Sequence, residues 1–116
     1  MKKTREIRAR RLGSSSALRL VELIEEATID CYDREEQVAG LYTMLEDRLK
    51  MPFETQVLGL DVIVEAVVLS DAGDIAAVCR RGPFRQRVSI LDLPLPTPPP
   101  KGAEWIEAYR RWSGGS

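Results

Sequence analysis

The spacing of apolar residues changes from helical to strand-like at Pro52, and this change limits the folds that the chain can adopt. Before Pro52, apolar residues recur in two segments at the spacing of one helical face. From Phe53 onwards they alternate with polar residues and are interrupted by turn residues. Helices followed by short antiparallel strands predict an α+β fold.

The residues before Pro52 predict an N-terminal helical hairpin. One serine of the run Ser14 to Ser16 is expected to be the N-cap of the first helix. The apolar stripe of this helix is Ala17, Leu20, Val21, Ile24 and Ala27. The second helix begins at Asp33, has Glu36 in a capping-box relation and is closed by Pro52. Its stripe is Val38, Leu41, Tyr42, Leu45 and Leu49.

The middle of the chain predicts a small antiparallel sheet or an SH3-like partial barrel. Gly59 joins FETQVL to DVIVEAVVL in a hairpin, and two further turns, at residues 70–74 and 81–83, lead into IAAVC and RQRVSIL. The prolines between Pro94 and Pro100 then impose an extended segment. A short C-terminal helix is predicted from Ala103 to about Trp112, with its two tryptophans on one face packed against the sheet.

One domain accounts for the 116 residues, because domains commonly hold about 100–150 residues. We expect a basic flexible arm at residues 1–13, a single α+β domain at 14–112, and a flexible tail at 113–116. No apolar run approaches the roughly 20 residues of a membrane helix. The basic N-terminus also lacks the apolar segment of a secretory signal. We therefore expect a cytoplasmic protein that does not bind a membrane.

The chain contains no histidine, which excludes imidazole acid–base chemistry and His-ligated zinc. No nucleophile–base pair and no phosphate-cradling glycine loop is visible. Cys31 and Cys79 form no CxxC pair and are expected to be reduced thiols. We therefore expect a protein that is not an enzyme.

Acidic residues are concentrated between the two predicted helices, although the whole chain has a net charge of only −1. The segment 22–47 has a single basic residue, Arg34, and nine acids: Glu22, Glu25, Glu26, Asp30, Asp33, Glu35, Glu36, Glu46 and Asp47. Mutual repulsion among clustered carboxylates is relieved by a hard cation such as Ca²⁺, which takes about 6–8 oxygen ligands. The spacing is not that of an EF-hand. The alternative is a structural role, in which Asp33 and Glu36 cap a helix and Glu35 points to water.

Two further acids are weaker candidates for a metal site. Glu104 and Glu107 share one face of the predicted C-terminal helix and would serve a second ion or complete the first site. The alternative for Glu107 is an ion pair with Arg111, four residues later.

Three segments resemble the cyanobacterial calcium-binding protein family, whose members are small calcium proteins without EF-hands. They are DCYDREEQVAGLYTMLEDRL, MPFETQVLG and RGPFRQRVSILDLPLPTPPPKGAEWIEAYRRW. The likeness extends from about Ala17 to Trp112, and its most specific part is the proline run that leads into the Trp-bearing helix. The resemblance implies Ca²⁺ binding in the cytoplasm, as a buffer or sensor, without catalysis. By motif match, the calcium ligands are Asp30, Asp33, Glu35 and Glu36.

The alternative function is nucleic-acid binding by a small barrel. Four bases, Arg80, Arg81, Arg85 and Arg87, cluster on one predicted hairpin, and with the basic arm they would contact phosphates. Against this function, the acidic segment would repel a polyanion, and no aromatic RNA-binding signature is present. The calcium ion is therefore the predicted partner, whereas the protein partner is unknown and an interaction role for the proline run stays open.

Overall fold

The computed structural model describes residues 12–114, which form three helices and a four-stranded antiparallel sheet, confirming the predicted α+β fold. In chain order the elements are α1 (Leu12–Ala27), α2 (Arg34–Arg48), β1 (Phe53–Val57), β2 (Leu60–Leu69), β3 (Ile75–Arg81), β4 (Phe84–Ser89) and α3 (Glu104–Gly114). Of the predicted basic arm, residues 1–11 lie outside the described residues and 12–13 belong to α1; of the predicted tail, residues 113–114 belong to α3 and 115–116 lie outside the described residues. None of the helices in the range 12–114 is long and apolar enough to cross a membrane.

Helix α1 begins at Leu12, so the serine run lies inside the helix and the predicted serine N-cap is wrong. Gly13 does not stop the helix, because a glycine inside a helix costs only about 1 kcal/mol relative to alanine. Helix α2 begins as predicted, with Asp33 as its N-cap. It ends at Arg48, four residues before Pro52.

The sheet is an open meander in the order β1-β2-β3-β4, so the small antiparallel sheet is observed rather than a closed barrel. The β1–β2 hairpin turns at Leu58 and Gly59, both with positive φ, as a type I′ turn requires. The register of β2 against β3 shifts between Val64 and Ala66, which places a bulge at Glu65. Side chains alternate between an inner face, which meets the helices, and an outer face.

The core lies between the inner face of the sheet and the helices. The buried side chains of α2 are those predicted, except that Tyr42 is only partly buried. In α1 the most buried side chain is Leu23, which the predicted stripe omitted. Leu20 and Ile24 pack against the core as partly buried residues. The apolar face of α1 is thus wider than the stripe inferred from the sequence.

Helix α3 packs against α1 and α2. The Trp112 indole N–H donates to Gln37 Oε1 at 3.0 Å, and the Arg34 guanidinium lies 4.6 Å above the Trp112 ring. For Trp112, packing on α2 replaces the predicted packing on the sheet, whereas Trp105 is buried in the core. One link from α3 to the sheet is the Tyr109 hydroxyl, which accepts the Ile75 N–H at 3.4 Å.

The proline-rich segment is fixed to its own domain. The Thr55 hydroxyl donates to the Pro94 carbonyl at 2.6 Å. Arg110 donates to the carbonyls of Ile90 and Leu93. These bonds hold the segment between the end of β4 and the start of α3, so the last helix has a defined approach to α1.

Candidate functional site

The predicted calcium ligands surround the short connection between α1 and α2. The Thr28 hydroxyl donates to the Ile24 carbonyl at 2.7 Å, and the Cys31 N–H donates to the Thr28 carbonyl at 3.0 Å. Asp30 then has a φ of 63°, a left-handed conformation that aspartate tolerates better than most residues. The chain thereby turns from one helix to the next within six residues, 28–33.

Asp33 caps α2 as predicted, and Glu36 bonds back to the chain one residue before the N-cap position that a capping box uses. Asp33 Oδ1 accepts the Glu36 N–H at 2.9 Å, and Glu36 Oε1 accepts the Tyr32 N–H at 2.6 Å. The first bond satisfies a donor in the first turn of α2 that has no partner inside the helix, and the second satisfies the N–H of the residue before the N-cap. Two of the four predicted ligands therefore have a structural role that occupies one carboxylate oxygen each.

The four acids are near one another in the chain, but their carboxylates do not converge. Asp30, Asp33, Glu35 and Glu36 are all exposed. Across residues 12–114, no group of three or more Asp, Glu, Cys or His side chains is arranged to hold a metal ion. Because Ca²⁺ takes about 6–8 oxygens, the described loop is not a preassembled calcium site. Any ion bound there requires the exposed side chains to rotate.

Glu104 and Glu107 lie away from this loop. Both border a cavity that also includes Ser16 and Leu20, near the start of α1. Trp112, at the other end of α3, lies against the start of α2. Glu104 and Trp112 are eight residues apart in the helix, which corresponds to a rise of about 12 Å, so the glutamates are not brought together with the loop acids. Glu107 approaches Arg110 at 3.7 Å, in place of the predicted pair with Arg111.

The arginine-rich hairpin is paired with an acid on the neighbouring strand β2, which the sequence analysis did not single out. Glu65, at the bulge of β2, accepts from Arg80 Nε at 2.5 Å and from Arg85 Nε at 2.9 Å. The hydrogen bonds from Arg85 and then from Arg80 hold the pKa of Glu65 below its usual value. The pairing partly neutralises the basic surface that was the basis of the nucleic-acid alternative. No sequence signal marked Glu65, because its position depends on the register of three strands.

Comparisons with known proteins give one similar structure. No protein-family model matches the chain, and no curated protein matches it. A solved structure described as "Calcium binding protein in the calcium-binding form" is 19% identical to this chain, with a TM-score of 0.65. The match covers 83% of this chain and 90% of that chain. The two proteins therefore share a fold over most of their lengths.

Proposed function

We propose that the chain is a non-catalytic calcium-binding protein that acts in the cytoplasm as a Ca²⁺ buffer or sensor. The observation that carries the proposal is the fold shared with a protein described as calcium-binding and in its calcium-bound form. The sequence resemblance to the cyanobacterial calcium-binding protein family supports the same function. Membership of that family is the more specific part of this proposal. The exposed acids at Asp30, Asp33, Glu35 and Glu36 support the α1–α2 connection as the site.

The loop supplies oxygen atoms of two kinds. Within the described residues, no hydrogen bond is donated to the carboxylates of Asp30 and Glu35, and Asp33 and Glu36 each retain one oxygen outside the bonds at the start of α2. No backbone N–H of the described chain donates to the carbonyl oxygens of residues 29–32. Because the acidic side chains are exposed, they can rotate towards a common point without disturbing the core. Ion binding would then offset their mutual repulsion.

Thermal unfolding tests the function. The protein is melted in chelator, in Ca²⁺ and in matched Mg²⁺, with calorimetric titration to obtain the affinity. At a Ca²⁺ concentration about 100-fold above Kd, linkage stabilises the folded state by about 2.7 kcal/mol. For a domain of this size that raises Tm by about 10 °C. Identical melts in the three buffers, together with no heat of Ca²⁺ binding, would show that the protein does not bind calcium.

Charge-removing variants test the site. Asp30→Asn, Asp33→Asn and Glu35→Gln should each weaken Ca²⁺ binding, and Asp33→Asn retains an N-cap because asparagine caps helices as well as aspartate. The matched control is Glu25→Gln, which removes the same charge from the exposed surface of α1.

The double variant Glu104→Gln/Glu107→Gln separates the two predicted groups of acids. If it lowers the affinity and the loop variants do not, calcium binds at α3 and the loop assignment is wrong.

A further inference from the structure

The helices cover only part of the inner face of the sheet. Val64 and Val67 of β2 are buried beneath them, whereas Leu60, nearer the β1–β2 turn, is exposed. The uncovered end forms a cavity of about 230 Å³, here called the hairpin groove. Its apolar lining includes Val57, Leu60, Val62, Cys79 and Phe84. Phe84 is 74% exposed, so the groove presents an apolar surface that the chain itself leaves open.

The hairpin groove has one positively charged side chain. Arg81 is the charged residue of the inner face that lines it, and no acid does so within the described chain. Arg85 also borders the groove, but strand alternation places its side chain on the outer face, with Glu65. Asp61 lies between Leu60 and Val62 in β2, so strand alternation places it on the outer face. Arg85 is paired with Glu65, whereas Arg81 has no ion pair among the residues described. An occupant that combines apolar and acidic groups would match this surface.

The α1–α2 connection has that combination. Ile29 and Tyr32 are among the large apolar side chains exposed to solvent, and Tyr32 is 87% exposed. Asp30 follows Ile29 and Asp33 follows Tyr32 in the chain. Exposed apolar groups beside charged residues are typical of interaction surfaces.

The α1–α2 connection and the hairpin groove lie at opposite ends of the sheet. The connection of one copy therefore cannot bind in the groove of the same copy. Tyr109 and Trp112 of α3 are stacked at 5.8 Å between ring centroids. Tyr109 reaches Ile75 at the start of β3, and Trp112 contacts the start of α2 beside the connection. The hairpin groove is at the other end of β3, at Arg81, about 20 Å away along the strand.

We propose that the chain self-associates head to tail, with the α1–α2 connection of one copy bound in the hairpin groove of the next. Ile29 and Tyr32 contact the apolar lining, and the acids of the connection face Arg81. A groove of about 230 Å³ is smaller than the roughly 300–1,000 Å³ of small-molecule sites and suits inserted side chains. Because the two surfaces differ, an assembly of any length keeps one unoccupied connection at one end and one unoccupied groove at the other. Further copies can therefore add to it.

Sedimentation equilibrium of the full chain tests this proposal. All samples contain chelator, so the result does not depend on the proposed calcium site. At low salt, the average mass should rise with protein concentration above the 13.0 kDa of one chain, with a dissociation constant on the order of 0.1–1 mM, as expected of a small interface. Raising the salt to about 0.5 M should weaken the association several-fold, because the attraction between exposed charges is screened.

Two variants distinguish head-to-tail association from other contacts. Phe84→Asp disables the groove, and Tyr32→Lys disables the connection; both residues are exposed, so neither change disturbs the core. Each variant alone should remain a monomer. An equimolar mixture should form dimers and nothing larger, because it retains one working connection and one working groove. The matched control is Leu18→Asp, a change at a residue 64% exposed on α1, which should associate like the parent.

A parent that remains a monomer at about 1 mM, beyond the expected dissociation constant, overturns the proposal. Single variants that associate as the parent does, a mixture that forms no dimer, or a control that loses association also overturn it. Recovery of dimers in the mixture shows at the same time that both variants are folded.

Discussion

Gly40 allows α2 to pass close to the end of α1, and Gly40→Ala tests how tightly the two helices meet beside the proposed site. A Cβ at this position would lie 2.1 Å from the Ala27 carbonyl oxygen, a backbone atom, and 3.7 Å from Cys31 Sγ. Real Cβ contacts are essentially never below 3.0 Å. The helices must therefore separate locally by about 1 Å, a shift of the size that overpacked cores undergo.

Two effects of opposite sign decide the outcome. Helix propensity alone favours alanine over glycine by about 1 kcal/mol. Overpacking against backbone costs about 1–3 kcal/mol, and a contact this short belongs at the upper end. We expect a net loss of about 2 kcal/mol in the free energy of unfolding, which for a domain of this size lowers Tm by about 6–10 °C.

Urea denaturation followed by circular dichroism measures this loss as a lower midpoint at unchanged slope. The control is Ala39→Gly, next to Gly40 in the same helix, which reports the propensity effect without the clash and should cost about 1 kcal/mol. If Gly40→Ala instead stabilises the protein by about 1 kcal/mol, helix propensity alone determines the effect of the substitution on stability. The close approach of α1 and α2 would then be wrong.

Gly102→Ala should be more damaging, because Gly102 has a φ of +89° and a Cβ there would lie 2.1 Å from the Arg48 carbonyl oxygen. We expect a loss of about 3 kcal/mol in the free energy of unfolding, from left-handed strain and overpacking together, and a loss below about 1 kcal/mol in a urea titration would contradict the packing described. Glu65→Gln tests the arginine pairing through pH: the pKa of Glu65 is lowered from 4.5, so its stabilisation is present above that value and is lost as the pH falls through the lower folded-state value. The urea midpoints of parent and variant should therefore differ at neutral pH and converge in acid, whereas a difference that stays constant down to pH 2 would show that the charge of Glu65 is not involved.

Local signals in the sequence predicted most of the fold. The Asp33 cap and the turn at Gly59 each depend on residues adjacent in the chain, and the structure has both. Interactions between distant segments were harder to predict. Trp112 contacts α2 because the proline segment directs α3 towards the helices. The spacing of the tryptophans within α3 predicts that they share a face, but it does not predict which element that face contacts. The wide apolar face around Leu23 likewise depends on having two neighbouring helices to cover it.

The candidate site was predictable in composition but not in geometry. The sequence brings Asp30, Asp33, Glu35 and Glu36 within seven residues, and it also offered the structural role that Asp33 and Glu36 have. Whether carboxylates converge depends on side-chain rotation and on competing hydrogen bonds, which residue spacing does not fix. The pairing of Glu65 with two arginines depends on a bulge between strands, and a single sequence gives no direct signal of that register.

The packing of α3 against α1 joins the first and last helices of the described chain, with consequences for folding during synthesis. The apolar face of α1 meets α3 only after residues 104–114 have been made. Until then a nascent chain has its sheet and helical hairpin but exposes apolar surface, a state that favours aggregation. Contacts this distant in sequence also slow folding, because a long loop must close before they form. Synthesis of the last helix is therefore the step at which this domain can first become fully folded.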